Sequence, residues 1–154
     1  MPMISTFLEY ELGVDAGASP PPAIPRIVVV EDNTDILEML TLALTDAGYT
    51  VLPWTRGADA HPFICTTQPD LVILDLWLEH PQAGSMVLGF LMTDPATQHI
   101  PVIISSAYRQ LLDAQAAHLR AQGYVLVDKP YRIETLLAAV QTLLRADHAR
   151  TVGV

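Results

Sequence analysis

From Arg26 onward, short β-branched runs alternate with longer stretches whose apolar residues have helical spacing. The run R-I-V-V-V-E at 26–31 is typical of a buried parallel strand. Asn33 can cap the following helix, and Gly48 predicts its end. The apolar residues between them recur at helical intervals: Ile36, Leu37, Leu40, Ala43, Leu44 and Ala47.

The same alternation continues to the end of the chain. Further strands are predicted at T-V-L-P-W (50–54), D-L-V-I-L-D (70–75), I-P-V-I-I-S-S (100–106) and Y-V-L-V (124–127). Further helices are predicted around 58–67, 86–92 and 110–121, and from Ile133 onward. Pro53 favours a sheet edge for the second strand, because proline cannot donate to a neighbouring strand. The segment 79–85 is expected to be a loop.

Five strands that alternate with five helices predict an α/β fold. The expected architecture is a doubly wound, five-stranded parallel sheet with right-handed crossovers. A flavodoxin-like strand order, 2-1-3-4-5, would bring the first and third strands side by side. We assign residues 26–147 to this domain and 148–154 to a C-terminal tail. Since few residues follow the last helix, we expect the protein to act on other molecules through protein contacts rather than through an appended domain.

Residues 1–25 differ from the rest of the chain. Ile4, Phe7, Leu8 and Leu12 are spaced for one face of a short helix, and a Gly- and Pro-rich linker follows. The pattern predicts a flexible extension. An arm that packs against a second subunit or a partner is the alternative.

Composition excludes several classes of function. The net charge of −9 repels nucleic-acid phosphates and anionic lipid, so we expect no direct binding of nucleic acid or membrane. The N-terminus lacks the basic region of a secretory signal. The single cysteine, Cys65, cannot form an internal disulfide, and this fits a reducing cytoplasm. Asp75 interrupts the longest apolar run before it reaches bilayer-spanning length. The five histidines show no metal-ligand spacing and are expected at the surface.

Polar side chains lie at the ends of four predicted strands. These are Glu31 and Asp32, Asp75, Ser105 and Ser106, and Asp128 and Lys129. In open parallel sheets, sites form outside the carboxyl ends of the strands where strand order reverses. We therefore expect these side chains to converge.

The three acids Glu31, Asp32 and Asp75 would repel one another there. At an effective dielectric constant near 20, two charges about 4 Å apart cost about 4 kcal/mol. A bound cation or raised pKa values would relieve this, and oxygen ligands on short acidic side chains suit Mg²⁺. Capping of the first helix would explain Asp32. It does not explain Asp75, which follows four apolar residues.

Lys129 is the only lysine among eight basic residues. Its compact ammonium suits one phosphate or carboxylate oxygen, and the alternative is an ion pair with neighbouring Asp128. Ser106 has no histidine motif beside it that could act as a base. We expect it to donate a hydrogen bond to an anion, or else to serve as a turn hydroxyl.

Together, the motifs V-V-V-E-D-N, L-V-I-L-D-L, P-V-I-I-S-S-A and D-K-P-Y resemble the receiver domain of two-component response regulators. The resemblance implies that Asp75 accepts a phosphoryl group from a sensor histidine kinase or phosphotransfer protein. It implies that Asp32, Asp75 and the backbone carbonyl of Trp77 hold Mg²⁺, with Glu31 assisting through water. Lys129 and Ser106 would bind phosphoryl oxygens. Such a domain catalyses only its own phosphorylation and slow dephosphorylation.

The chain departs from the family pattern at several modulating positions. Glu79 replaces the usual proline, and the loop to Gly84 is one residue longer. Leu126 replaces the aromatic switch residue of the fifth strand. The two positions that control dephosphorylation in the family carry Trp77 and Tyr108, whose bulk is expected to shield the acyl phosphate.

Other functions remain to be distinguished. A phosphorylation-independent interaction module, a pseudo-receiver, is the main alternative. A dehalogenase-type phosphatase needs a second acid where Trp77 stands. A flavodoxin needs a phosphate loop where Glu31 and Asp32 would repel phosphate. Leu143 and Leu144 of the last helix have two interpretations. They could form a homodimer interface, or they could simply pack in the core.

Overall fold

The computed structural model of the chain describes residues 20–107 and 109–152, without the side chains of residues 109–112 and 114. Strands and helices alternate along it: β1 (Arg26–Val30), α1 (Thr34–Asp46), β2 (Thr50–Trp54), α2 (Ala60–Thr67), β3 (Leu71–Asp75), α3 (Ala83–Thr93), β4 (Val102–Ser106), α4 (Arg109–Ala121), β5 (Val125–Asp128) and α5 (Ile133–Val152).

The strands form one parallel sheet in the order β2-β1-β3-β4-β5, which confirms the predicted fold class. Pro53 lies in β2, at the sheet edge, as predicted. In the register of the strands, Asp75 is opposite Ser105, and Ser106 is opposite Asp128. The carboxyl ends of β3, β4 and β5 therefore lie side by side.

A hydrophobic cluster covers each face of the sheet. On one face, Ile64, Leu88 and Leu119 pack α2, α3 and α4 against the strands. On the other, Leu40 and Val140 pack α1 and α5. Every residue of β3 and β4 is buried, as expected for central parallel strands. Each buried aliphatic side chain of these strands contributes about 1.5–3 kcal/mol of burial free energy. The two strands are therefore a stable part of the fold, and the polar residues at their ends are attached to it.

The ends of α1 agree with the sequence pattern. The Asn33 side-chain oxygen accepts hydrogen bonds from the backbone N–H groups of Asp35 and Ile36, at 3.0 and 3.2 Å. Gly48 follows the helix with φ = +98°, in the left-handed region that glycine adopts without strain.

Helix α3 corrects the predicted boundary. It begins at Ala83, so the predicted start at residue 86 is wrong, whereas the other elements begin within two residues of the predicted positions. Gly84 explains the difference. A Cβ atom at this position would lie 2.3 Å from the backbone of Leu76. The glycine lets the first turn of α3 pack directly on the chain that leaves β3.

Some predictions concern other parts of the chain. The N-terminal helix containing Ile4 and Leu12, and Tyr108, lie outside the described residues. Helix α5 continues to Val152 and includes most of the residues assigned above to a C-terminal tail. Within the described residues, no helix is both long and apolar enough to cross a bilayer.

Candidate functional site

The predicted acids converge at the carboxyl edge of the sheet. Glu31 and Asp32 directly follow β1, and Asp75 ends the neighbouring strand β3. One carboxylate oxygen from each lies within 4.8 Å of those of the other two. Glu31 and Asp75 are only 2% and 5% exposed, whereas Asp32 is exposed. We call these three residues the acidic cluster.

Lys129 reaches the acidic cluster from the end of β5. Its Nζ donates to Oε2 of Glu31 at 2.5 Å and to Oδ2 of Asp75 at 3.1 Å. Its backbone N–H donates to the carbonyl of Ser106 at 3.0 Å, and its peptide bond to Pro130 is cis. The ammonium is therefore held between two buried carboxylates, rather than serving only the neighbouring Asp128.

Backbone amides orient the other oxygens of the two buried acids. Oδ1 of Asp75 accepts from the N–H of Trp77 at 2.9 Å, and Oε1 of Glu31 accepts from the N–H of Asn33 at 3.2 Å. Each carboxylate thus has one oxygen on a backbone donor and one on Lys129. Both side chains are fixed in orientation before any ligand arrives.

Burial and mutual repulsion set the protonation of the site. Burial raises the pKa of Glu31 to about 7, and the charge of Asp75 acts in the same direction against the Lys129 hydrogen bond. Burial alone would lower the pKa of Lys129. The hydrogen bond that Lys129 donates to Glu31 and the charges of both acids outweigh burial and raise the pKa of Lys129. Lys129 is therefore an ammonium at neutral pH.

The donor set fits a hard divalent cation. When fully ionised, three carboxylates face one ammonium, so the site carries an excess of negative charge. Mg²⁺ prefers carboxylate, carbonyl and water oxygens, and usually takes only one or two carboxylates from a protein. Asp32 and Asp75 can supply these, and the exposed side of Asp32 leaves room for water.

Ser106 and Leu126 lie in the neighbouring strands β4 and β5. Ser106 is buried at the end of β4, one residue after the position opposite Asp75. Leu126 is half-buried in β5 and packs, with Tyr124, against the cluster that contains α3 and α4. Trp77 is 42% exposed and lies two residues after Asp75, which ends β3. The roles predicted for these residues stay predictions.

Glu79 has a contact that sequence reasoning missed. Its Oε1 accepts a hydrogen bond from the N–H of Gly57 at 2.5 Å. The residue that replaces the family proline therefore links the loop after β3 to the loop after β2. Both loops lie at the same edge of the sheet as the acidic cluster.

Tyr131 was also given no role by the sequence. Its hydroxyl oxygen is buried and lacks a hydrogen-bond partner within the described part of the chain. Burial raises the pKa of this phenol. The D-K-P-Y motif contained the only available signal, namely its position two residues after Lys129.

One histidine is not a simple surface residue. His80, His99, His118 and His148 are exposed as expected, but His61 is half-buried. Its Nε2 lies 2.9 Å from Oδ2 of Asp94 and 3.4 Å from the sulfur of Cys65. The expectation that all five histidines are surface residues therefore holds only in part for His61, whose side chain is 22% exposed. The four-residue spacing of His61 and Cys65 in a helix was the signal available.

Comparison with known families agrees with this geometry. The profile of the response regulator receiver domain matches residues 27–141. The DNA-binding dual master transcriptional regulator RpaA of Synechocystis is 34% identical over 123 residues, covering 79% of this chain and 50% of that protein. Protein Rrf1 of Nitratidesulfovibrio vulgaris is 33% identical, covering 77% of this chain and 82% of Rrf1. The chain spans about half the length of most of the curated relatives it matches.

Solved structures show the same architecture. The signal receiver domain of a Luxo repressor protein from Vibrio parahaemolyticus superimposes with a TM-score of 0.74 at 27% identity, covering 84% of this chain and 97% of that domain. A CheY-like receiver domain protein from Methanospirillum hungatei gives the same TM-score at 20% identity, covering 83% of this chain and 99% of that protein, and this likeness supports the fold alone.

Proposed function

The chain belongs to the response regulator receiver domain family of two-component systems, and on this basis we propose that it is a phosphoacceptor whose nucleophile is Asp75. The observation that carries the proposal is that Lys129 donates hydrogen bonds to two members of the acidic cluster, Glu31 and Asp75. A buried nucleophilic carboxylate, a fixed ammonium and spare oxygen ligands are what phosphoryl transfer requires from a protein, because catalysis of this reaction consists mainly of positioning and charge neutralisation.

The transfer step uses a carboxylate oxygen of Asp75. This oxygen attacks the phosphorus of a phosphohistidine on a histidine kinase or phosphotransfer protein. An O–P bond forms as the N–P bond breaks, and the imidazole leaves with the bonding electron pair and takes up a proton. The product is an acyl phosphate on Asp75.

Lys129 and Ser106 receive the phosphoryl oxygens. Lys129 already contacts Oδ2 of Asp75 at 3.1 Å, so a short movement lets its ammonium pair with an oxygen of the new phosphoryl group. Ser106 ends the adjacent strand and offers a hydroxyl from the other side. These two donors compensate the charge that the acyl phosphate adds to the site.

Asp32, Asp75 and the backbone carbonyl of Trp77 would hold Mg²⁺, with Glu31 assisting through water. When bound, the ion neutralises oxygen charge on the transferred phosphoryl group. The residues that surround it orient the nucleophile and leave an open path for the donor.

The modulating positions set the lifetime and output of the phosphorylated state. Trp77 and Tyr108 are bulky and poor at orienting water, so they slow hydrolysis of the acyl phosphate. Leu126 stands in place of the aromatic residue, and Glu79 is bound to Gly57. Both features favour passing the conformational change through the backbone near Ser106 rather than through a relay of side chains.

The proposal places the chain in the cytoplasm, with a sensor histidine kinase or phosphotransfer protein as its partner. It acts through protein contacts, without direct binding of nucleic acid or membrane by these residues, and catalyses only its own phosphorylation and slow dephosphorylation. A homodimer through α5 is one form its output can take.

Phosphoramidate, a small donor with the same N–P bond as phosphohistidine, tests the proposal. With Mg²⁺, intact mass spectrometry should detect the addition of one phosphoryl group. Asp75→Asn should abolish it, and Asp46→Asn, at an exposed position on α1, should not. An unmodified wild-type protein would instead indicate a pseudo-receiver.

A further inference from the structure

A second group of potential metal ligands lies between α2 and α3, and shares no residue with the acidic cluster. His61 and Cys65 belong to α2, and Asp94 directly follows α3. The distances are 2.9 Å from His61 Nε2 to Asp94 Oδ2, 3.4 Å from Cys65 Sγ to His61 Nε2, and 3.5 Å from Cys65 Sγ to Asp94 Oδ2. We call these three residues the α2–α3 cluster.

Regular structure holds each donor in place. His61 and Cys65 are four residues apart in α2, so they project from the same face of the helix. The His61 ring stacks on Phe90 of α3, with ring centroids 5.4 Å apart. Oδ1 of Asp94 accepts from the N–H of Ala96 at 2.9 Å, which directs Oδ2 towards the other two donors. The cluster is thus built by packed elements and not by one flexible loop.

We propose that His61, Cys65 and Asp94 bind a zinc-type divalent cation, with solvent in the fourth position. Imidazole nitrogen, thiolate sulfur and carboxylate oxygen are the ligand types that zinc takes. In a tetrahedral site with the usual zinc bond lengths, these donor atoms are about 3.3–3.6 Å apart. Two of the three observed distances match this range within about 0.1 Å, and the third needs an expansion of about 0.5 Å.

The surroundings allow a cation to enter and to be retained. The side chains of His61 and Asp94 are 22% and 31% exposed, so solvent reaches both of these side chains, and Cys65 is half-buried. The second carboxylate oxygen of Asp94 is already engaged by a backbone donor, as is common for orienting groups around metals. Each ion bound displaces the thiol proton of Cys65, which is released to solvent, and His61 binds in its neutral form.

A bound cation would link α2 to α3. The cluster would then cross-link the two helices. Because the cation binds the folded state, it would raise the stability of the fold. Interhelical hydrogen bonding alone would give the same distances without metal affinity. The two explanations differ in whether the thiol and the ion interact directly.

Cobalt is the probe for this difference, because cobalt bound to a thiolate gives a charge-transfer absorption that cobalt bound to oxygen alone lacks. Titration of the reduced full-length protein with Co²⁺ should produce this absorption at one equivalent, and Zn²⁺ should displace it. Cys65→Ser should abolish the absorption. His61→Gln and Asp94→Asn should each weaken Co²⁺ affinity about 10-fold or more. Loss of a residue that only orients a metal ligand already lowers metal affinity about 10–100-fold.

Two matched controls separate this site from other ligands. His118→Gln removes an exposed histidine of α4, and Asp75→Asn removes one of the three carboxylates of the acidic cluster. Both variants should retain the full absorption. Zn²⁺ should also slow alkylation of Cys65 by iodoacetamide in the wild-type protein, a readout that needs no variant. Absence of the thiolate absorption, or an alkylation rate unaffected by Zn²⁺, would overturn the proposal.

Discussion

Nζ of Lys129 lies 2.5 Å from Oε2 of Glu31, although the two residues are 98 positions apart in the chain. The same nitrogen is 3.1 Å from Oδ2 of Asp75. The ammonium is therefore held more closely by Glu31 than by Asp75, the proposed nucleophile. In the proposed mechanism, a phosphoryl group on Asp75 would give the Lys129 ammonium a stronger partner on that side.

Lys129→Met should reduce the rate of phosphorylation about 100-fold, the typical effect of removing one charge-stabilising donor from a transition state. Mg²⁺ affinity should not fall, because the substitution removes a positive charge from an acidic site. Intact mass spectrometry during a time course with phosphoramidate measures the rate. Lys129→Arg should not restore the wild-type rate, since a planar guanidinium cannot replace a compact ammonium between two carboxylates. A wild-type rate in either variant would contradict this role.

Glu31 should give the metal-free protein a characteristic pH dependence of stability. Its pKa is about 7 in the folded protein against an ordinary value of 4.5, so the folded state binds more protons than the unfolded state between these values. The free energy of unfolding should therefore fall as pH rises from about 4.5 to about 7. Urea denaturation in EDTA measures this slope. Glu31→Gln should flatten it, and an equally steep slope in that variant would assign it to another group.

Gly84→Ala should destabilise the fold, because the added Cβ would lie 2.3 Å from the backbone of Leu76 and 2.5 Å from the carbonyl oxygen of Asp75. Overpacking of this kind costs about 1–3 kcal/mol. Gly89→Ala is the matched control in the same helix. Nothing lies within 4 Å of its added Cβ, and alanine should stabilise the helix by about 0.5–1 kcal/mol. Urea denaturation compares them, and equal stabilities would argue against close packing of α3 on β3.

Trp77→Asn should accelerate loss of the phosphoryl group from Asp75. Trp77 is 42% exposed and lies two residues after Asp75, the proposed phosphoacceptor, and we expect a small amide to admit and orient water where the indole does not. The decay of the phosphorylated mass after removal of the donor gives the rate. Trp77→Phe keeps the bulk of the side chain and should decay at nearly the wild-type rate. Equal decay in Trp77→Asn and wild type would end the shielding hypothesis.

The fold and the acidic cluster could be predicted because their causes are local. Buried strand patterns predict the strands, and parallel strands place all their carboxyl ends at one edge, so Asp75 and Lys129 were expected at the same edge of the sheet. The contacts that could not be predicted depend on how separate elements are oriented. The hydrogen bond from Gly57 to Glu79 joins two loops, and the first turn of α3 packs closely on Leu76 at Gly84.

The α2–α3 cluster illustrates the same limit. Helical spacing relates His61 to Cys65, but nothing in the sequence places Asp94, which is 29 residues away from Cys65, against them. That approach depends on the packing of α2 on α3. The side chain of Asp94 also accepts a bond from the N–H of Ala96, and aspartate is common in turns for such backbone hydrogen bonds alone.

The most direct test of phosphoacceptance is to locate the modified residue. After treatment with phosphoramidate and Mg²⁺, borohydride reduction of an acyl phosphate followed by peptide mapping should mark Asp75 alone, and EDTA should prevent the modification. Labelling of any other residue, or no labelling of a folded and Mg²⁺-loaded protein, would contradict the assignment of Asp75 as the phosphoacceptor.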